Sequence, residues 1–158
     1  MNQLTKYEEL IDEHNDVEFI EYQFNSERIK GLYSNGVVAT SNKLSTNEKN
    51  GTIAEELGHH HTSSGDIIDM DPTSNRKQEL RARVWAYDKL INLQGFIDAF
   101  EHHCTNLYET AEFLDVTEEF LVDSINAYMH KYGCYVKYKN YVIEFDFNSV
   151  NVIKNMDD

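Results

Sequence analysis

The segment RKQELRARVWAYDKLI, residues 76–91, narrows the possible folds more than any other part of the chain. Leu80, Val84, Tyr87 and Ile91 recur at helical spacing along one face, while Ala82, Trp85 and Ala86 add a second. A helix apolar over so much of its surface is predicted to be a core helix, and the rest of the chain has to supply what covers it. The 158 residues suit one domain, or one compact unit with a small appendage, and a hydrophobic fraction of 41% can fill a real core.

The covering elements are legible from their periodicities. Leu4, Tyr7, Leu10 and Ile11 predict a short amphipathic helix within the first fourteen residues, ended by His14-Asn15-Asp16. Period-two alternation follows in EFIEYQF at 18–24. Two short runs then flank Ser34-Asn35-Gly36, where Asn-Gly is a strong hairpin signal, so a small antiparallel sheet is expected. Ser45 and Glu48 have the spacing of a capping box, after which Ile53, Ala54, Leu57 and His61 trace a helical stripe to about residue 62. Loop chemistry is expected at 62–65 and again at 71–75, which holds the only proline. Beyond the 76–91 helix, QGFIDAFEHH, LYETAEFLDV and TEEFLVDSINAYMHKYG predict three more helices, the last starting at Thr117 and stopping at Gly133. CYVKYKN and YVIEFDF are expected to close the chain as a hairpin turning near Lys139-Asn140.

Charge and cysteine content exclude several functions. A formal charge of −14 repels nucleic-acid phosphate and the anionic face of a membrane, so direct nucleic-acid binding is not expected. No run of about eighteen apolar residues is present. MNQLTKYEELIDEHND lacks the regions of a signal peptide, and a cytoplasmic protein with no membrane partner is expected. Cys104 and Cys134, in unrelated contexts, fit a reducing compartment and are expected to be buried small apolar residues.

The chemistry concentrates in AEELGHHH, residues 54–61. Residues four apart on a helix share a face, so Glu55 with His59, and Glu56 with His60, can each grip one ion. In the zinc-peptidase pattern HExxH, two histidines one turn apart hold Zn²⁺, and the glutamate after the first takes a proton from the metal-bound water. Glu55-Glu56-Leu57-Gly58-His59 matches that pattern except at its first ligand, where a carboxylate stands. A carboxylate is itself a zinc ligand at about 2.0–2.2 Å; its extra negative charge makes the bound water less acidic. A Glu-rich helix start followed by histidines is also what a solvated helix face looks like, because the macrodipole favours that polarity without any ligand.

The combination of ATSNKLSTNEKNGTIAEELGHHHTSSGDI with ELRARVWAYDKLI resembles the ImmA/IrrE-type metallopeptidases, including their phage and mobile-element branch. The second stretch carries Glu79, Ala82, Trp85 and Ala86 at the family's offsets, and the similarity continues through LYETAEFLDVTEEFLVDSINAYMHKYG, so it spans about residues 29–133. The resemblance implies Zn²⁺ held by Glu55, His59 and Glu79, with Glu56 as catalytic base. His60 is an alternative ligand, and the family's proline after the second helix is replaced by Lys89-Leu90-Ile91-Asn92. It also implies an α+β, zincin-like core over 1–92, with a small N-terminal antiparallel sheet and an active-site helix pair. A C-terminal helical region with a terminal hairpin is expected over 93–158. The implied activity is zinc-dependent endoproteolysis that inactivates a cognate transcriptional repressor; the alternative is an antirepressor that acts by binding alone.

Three other clusters have both a functional and a plain reading. His102-His103-Cys104 carries zinc-ligating residue types, but adjacent helical residues diverge by about 100°, so a helix end with a buried cysteine is expected. AEFLDVTEEFLVDSI has the packed positions of a helix-turn-helix at Ala111, Leu114, Val116, Phe120, Leu121 and Ile125. Its second helix begins Glu118-Glu119, which is unsuited to reading DNA and points to packing or protein docking. Arg76, Lys77, Arg81 and Arg83 form the one basic cluster, either a solvated face or a contact for an acidic partner segment.

Overall fold

Why the chain folds as two groups of elements is visible in its order of periodicities, strands before helices and then strands again. The computed structural model describes residues 3–62 and 72–156. It divides into two compact units, Met1–Lys89 and Leu90–Asp158. The expected loop at 63–65 and the connector up to residue 71 lie outside the described residues.

The first unit holds α1 (Lys6–Asp12), β1 (Glu18–Tyr22), β2 (Gly31–Ser34), β3 (Val37–Ser41), α2 (Thr46–Thr62) and most of α3 (Pro72–Leu90). Thr5 caps α1 by accepting the Glu8 N–H, which satisfies one of the helix's orphan donors. Asn35 and Gly36 both have positive φ, 47° and 79°. This is the two-residue turn that lets β2 and β3 pair with the natural twist of the strands. β3 is the central strand and the most buried, with Val38 and Thr40 at 0% and 2% exposure. The antiparallel expectation holds for β2 on β3, but β1 runs parallel to β3, pairing Glu18 with Val37 through Tyr22 with Ser41. The sheet is therefore mixed, in the order β1-β3-β2. A hairpin placed between two strands allows the first to return beside the third, and local alternation carries no information about that choice.

The capping box at the start of α2 is formed in both directions: Ser45 N–H donates to Glu48 Oε1, and Glu48 N–H to Ser45 Oγ, each at 3.2 Å. Ile53, Ala54 and Leu57 are buried as the stripe predicts. α3 begins at Pro72, inside the stretch expected to be loop. Proline lacks an N–H that the first turn of a helix does not use, so here it opens the helix instead of preventing it. The core face of α3 also differs from the reading. Ala82, Ala86 and Tyr87 are buried, whereas Leu80 is 52% exposed.

The reason lies at Gly58. A Cβ built there would sit 2.2 Å from the Ala82 carbonyl oxygen and 2.9 Å from its Cα. α2 and α3 thus meet backbone to backbone, and small residues rather than large ones define the seam. Gly31 makes room for side chains of α2 beneath β2, since a Cβ there would meet Thr52 Cγ2 at 2.6 Å and Glu56 Cγ at 3.1 Å. Both close approaches bring polar side chains on either side of the seam within reach of one another.

The second unit contains α4 (Asn92–Glu101), α5 (Leu107–Leu114), α6 (Glu118–Tyr132), β4 (Tyr135–Tyr138), β5 (Tyr141–Asp146) and β6 (Ser149–Lys154). Thr117 caps α6 through the Phe120 N–H at 3.0 Å, and Gly133 ends it at φ 86°. The six predicted positions of the α5–α6 turn are all buried, with Asp115 taking the left-handed conformation between the helices. The terminal hairpin is one part of a three-stranded antiparallel sheet, since β6 adds to β5 through a second tight turn at Phe147-Asn148. Phe96 packs edge-on against Tyr128 and Phe145, at 5.9 Å to each ring, and closes the core between helices and sheet. The cysteines depart from expectation: Cys104 is half-buried and Cys134 exposed. Among the described residues no helix is long and apolar enough to cross a membrane.

Candidate active site

The tight seam between α2 and α3 places His59, the residue after Gly58, opposite Glu79, which lies three residues before Ala82. His59 Nε2 is 3.3 Å from Glu79 Oε1. These two line a cleft of about 370 Å³ together with Glu56, Gly31, Leu32 and Tyr33. Glu56 projects from α2 beneath β2, where the Tyr33 backbone N–H is bonded to its carboxylate. Burial, and then the negative charges of Glu55 and Glu79, push its pKa up to about 7. A carboxyl so placed changes protonation near neutrality, as a general base has to.

Glu55 behaves differently. It is half-buried one turn before His59, and it is not among the residues that line the cleft. Among the described residues no three His, Cys, Asp or Glu side chains converge on a point where an ion could sit. Of the expected ligand set the structure therefore joins His59 with Glu79 and leaves Glu55 outside that pair.

The donor chemistry can be tested against a divalent ion. Zn–N and Zn–O bonds of about 2.0–2.1 Å at a tetrahedral angle give a ligand-to-ligand edge of about 3.3 Å. The His59 to Glu79 separation of 3.3 Å has that length, and a cation would relieve the repulsion that raises Glu56. The pair fits two corners of a zinc site.

His60, the alternative ligand, is bonded to other partners. Its Nε2–H donates to Asp16 Oδ2 at 2.9 Å, and its Nδ1 accepts from the Tyr33 hydroxyl at 2.8 Å. The same hydroxyl accepts the Gly36 N–H at 3.2 Å. The imidazole bonded to Asp16 holds that carboxyl below its usual range. His60 thus ties α2 to the β2–β3 hairpin and fixes the strand whose N–H holds Glu56. His61 turns the other way, stacked on Trp85 at 4.6 Å and within 2.7 Å of His14 Nε2. His14 is buried, with its Nδ1–H on the Leu10 carbonyl. The three consecutive histidines accordingly have three roles: His59 faces the cleft, His60 braces the hairpin, and His61 packs.

Sequence reasoning missed Gly31, Tyr33 and Gly58. The signals were present: a glycine opening a strand and a glycine inside a helix each mark a close backbone approach. Tyr33 meets Glu56 through its backbone and His60 through its hydroxyl, partners that lie more than twenty residues away in sequence.

No curated protein matches the chain. A family model described as IrrE N-terminal-like domain, Peptidase M78, matches residues 12–126, a span that takes in α2, α3 and every residue of the cleft. The protein therefore belongs to the IrrE N-terminal-like family, Peptidase M78, whose members' metallopeptidase character agrees with a cleft built from Glu56, His59 and Glu79.

Proposed function

We propose that this chain is a zinc-dependent endopeptidase of a phage or other mobile element, which acts in the cytoplasm by cutting and inactivating a cognate transcriptional repressor. The observation that carries the reading is the joined His59–Glu79 pair with Glu56 buried beside it, in a chain of the Peptidase M78 family. Zinc would be held by His59, Glu79 and Glu55. When bound it polarises a peptide carbonyl and makes a water molecule more acidic. Glu56 accepts a proton from water and passes it to the nitrogen of the departing amine, and the Tyr33 N–H keeps its carboxylate in place meanwhile. The repressor and the mobile-element origin rest on the resemblance of AEELGHHH and ELRARVWAYDKLI to that branch of the family.

A second reading, an antirepressor that works by binding alone, is favoured by one feature: Glu55 stands outside the cleft lining. Co-expression with the repressor, followed by mass measurement of the intact repressor, separates the two. Two repressor fragments, lost in Glu56→Gln and in Glu79→Ala, are the expected result. Near-stoichiometric zinc in untagged protein should accompany them. An uncut repressor held in a stable complex, with zinc refused by metal-free protein, overturns the peptidase reading in favour of binding.

A further inference from the structure

In a chain with 28 acidic and 14 basic side chains, cations are expected to find partners, and several do. Lys30, Lys49, Lys89 and Lys154 each pair with a carboxylate. Arg76 and Arg83 on α3 are exposed; among the described residues, the ion pairs go to other cations and none to these two. Their natural partner within the helix is Glu79, three residues after one and four before the other. Its carboxylate is instead directed to His59, so the site's own chemistry leaves the two arginines uncompensated.

The same face carries a large apolar residue, Leu80, that is more than half exposed. Arg76, Leu80 and Arg83 follow one another at helical spacing. With Asn75 and Glu79 they line a hollow of about 470 Å³, and Leu80 is 52% exposed within it. Glu79 lines both this hollow and the cleft that holds Glu56 and His59. A chain laid along this face of α3 therefore runs directly to the site.

We propose that this hollow is a substrate subsite for an extended peptide segment in which two acidic side chains flank an apolar one, in the pattern acid-x-apolar-x-acid. Successive members of the Arg76, Leu80, Arg83 row are about 5–6 Å apart along the helix surface. Same-face side chains of an extended peptide repeat at about 6.6 Å, so flexible arginines match both acids while Leu80 meets the apolar residue. A nucleic acid is the poorer occupant, because the chain's net charge of −14 opposes it and none of the described residues lining the hollow is aromatic, which leaves no ring among them for a base to stack on. The use of the subsite in cleavage rests on the peptidase reading, but occupancy does not.

The test uses the full chain carrying Glu56→Gln and a fluorescein-labelled peptide with the core Glu-Ser-Leu-Ser-Glu, followed by anisotropy at low salt. Binding at least about tenfold tighter than that of the Gln-Ser-Leu-Ser-Gln control is expected, with the advantage lost in Arg76→Gln/Arg83→Gln. The two arginines are exposed, and circular dichroism of the double variant checks that its fold is unchanged. Equal affinity for the two peptides overturns the subsite, as does undiminished affinity in the double variant or a labelled oligonucleotide bound through the same arginines in preference. Arginine-dependent binding without cleavage of any repressor overturns the peptidase reading and leaves the subsite standing. Cleavage with no preference for the acidic peptide does the reverse.

Discussion

Gly58 and Gly95 are both buried glycines inside helices, one in each unit, and they face different kinds of neighbour. A Cβ at Gly58 meets the backbone of Ala82, whereas a Cβ at Gly95 meets the side-chain ends of Ile91 and Leu114 at 3.3 Å. The first unit fixes its helices main chain to main chain, and the second packs them through aliphatic and aromatic side chains. The chemistry follows that division. The rigid seam holds an imidazole and two carboxylates in one cleft at the expense of Glu56, whose ionisation it opposes. In the second unit each of α5 and α6 is side-chain capped at its start, by Asn106 and Thr117, and no carboxyl is pushed upward among the groups whose shift is resolved. Helix capping does not separate the units, since Thr5 and Ser45 cap α1 and α2 as well; the burial of one carboxyl near two others does.

The strongest attack on this contrast is Gly58→Ala. The added methyl cannot fit 2.2 Å from a carbonyl oxygen, so α2 and α3 must separate and lose contact along the whole seam. A loss of about 3 kcal/mol is expected from the overpacking, offset by about 1 kcal/mol of better helix propensity. Urea unfolding measures the net change, and peptidase activity should fall with it because His59 and Glu79 move apart. A variant as stable as the parent would show that the helices do not meet through their backbones.

A smaller, pH-dependent effect is expected from Glu56. Its folded pKa of about 7 exceeds the ordinary 4.5, so between those values the folded state holds a proton that the unfolded state has released. Its contribution to stability is complete below the ordinary value and is lost as pH rises through about 7. For chelator-treated protein the loss from about pH 5 to pH 8 should approach 2 kcal/mol, and Glu56→Gln should remove that slope. His61 acts in the opposite sense, since burial lowers its pKa and its contribution fades as pH falls. The difference between parent and Glu56→Gln, rather than either curve alone, isolates the carboxyl. Parallel curves would mean that Glu56 is as solvated as a surface glutamate.

Much of the fold was legible because its signals are local. Asn35-Gly36 fixes a turn, Ser45 with Glu48 and Thr117 with Phe120 fix helix starts, and Gly133 fixes a stop, each within four residues of chain. What escaped depends on partners distant in sequence. The parallel pairing of β1 with β3 is decided by the path of the intervening hairpin, and β6 forms because β5 offers it an edge. Leu80 counts as core by spacing yet faces outward, since the Gly58–Ala82 contact sets the rotation of α3. Glu56, His59 and Glu79, on which spacing and resemblance agree, line one cleft. The division of labour among His59, His60 and His61 was not legible, because it is set by Glu79, Asp16 and Trp85 on three other segments.

Gly95→Ala is the mildest change and the finest probe of the contrast. Ile91 Cγ2 and Leu114 Cδ2, each 3.3 Å from the new methyl, are ends of side chains and can give by the few tenths of an ångström required. Such adjustment costs up to about 1 kcal/mol in a packed core, and replacing glycine inside a helix returns up to about 1 kcal/mol. Stability should therefore change by no more than about 0.5 kcal/mol, with the peptidase site in the other unit untouched. A loss of about 2 kcal/mol in the same urea titration would show that side-chain packing around α4 is as unyielding as the backbone seam. The distinction between the two units would then lie in the residues they carry and not in how their helices meet.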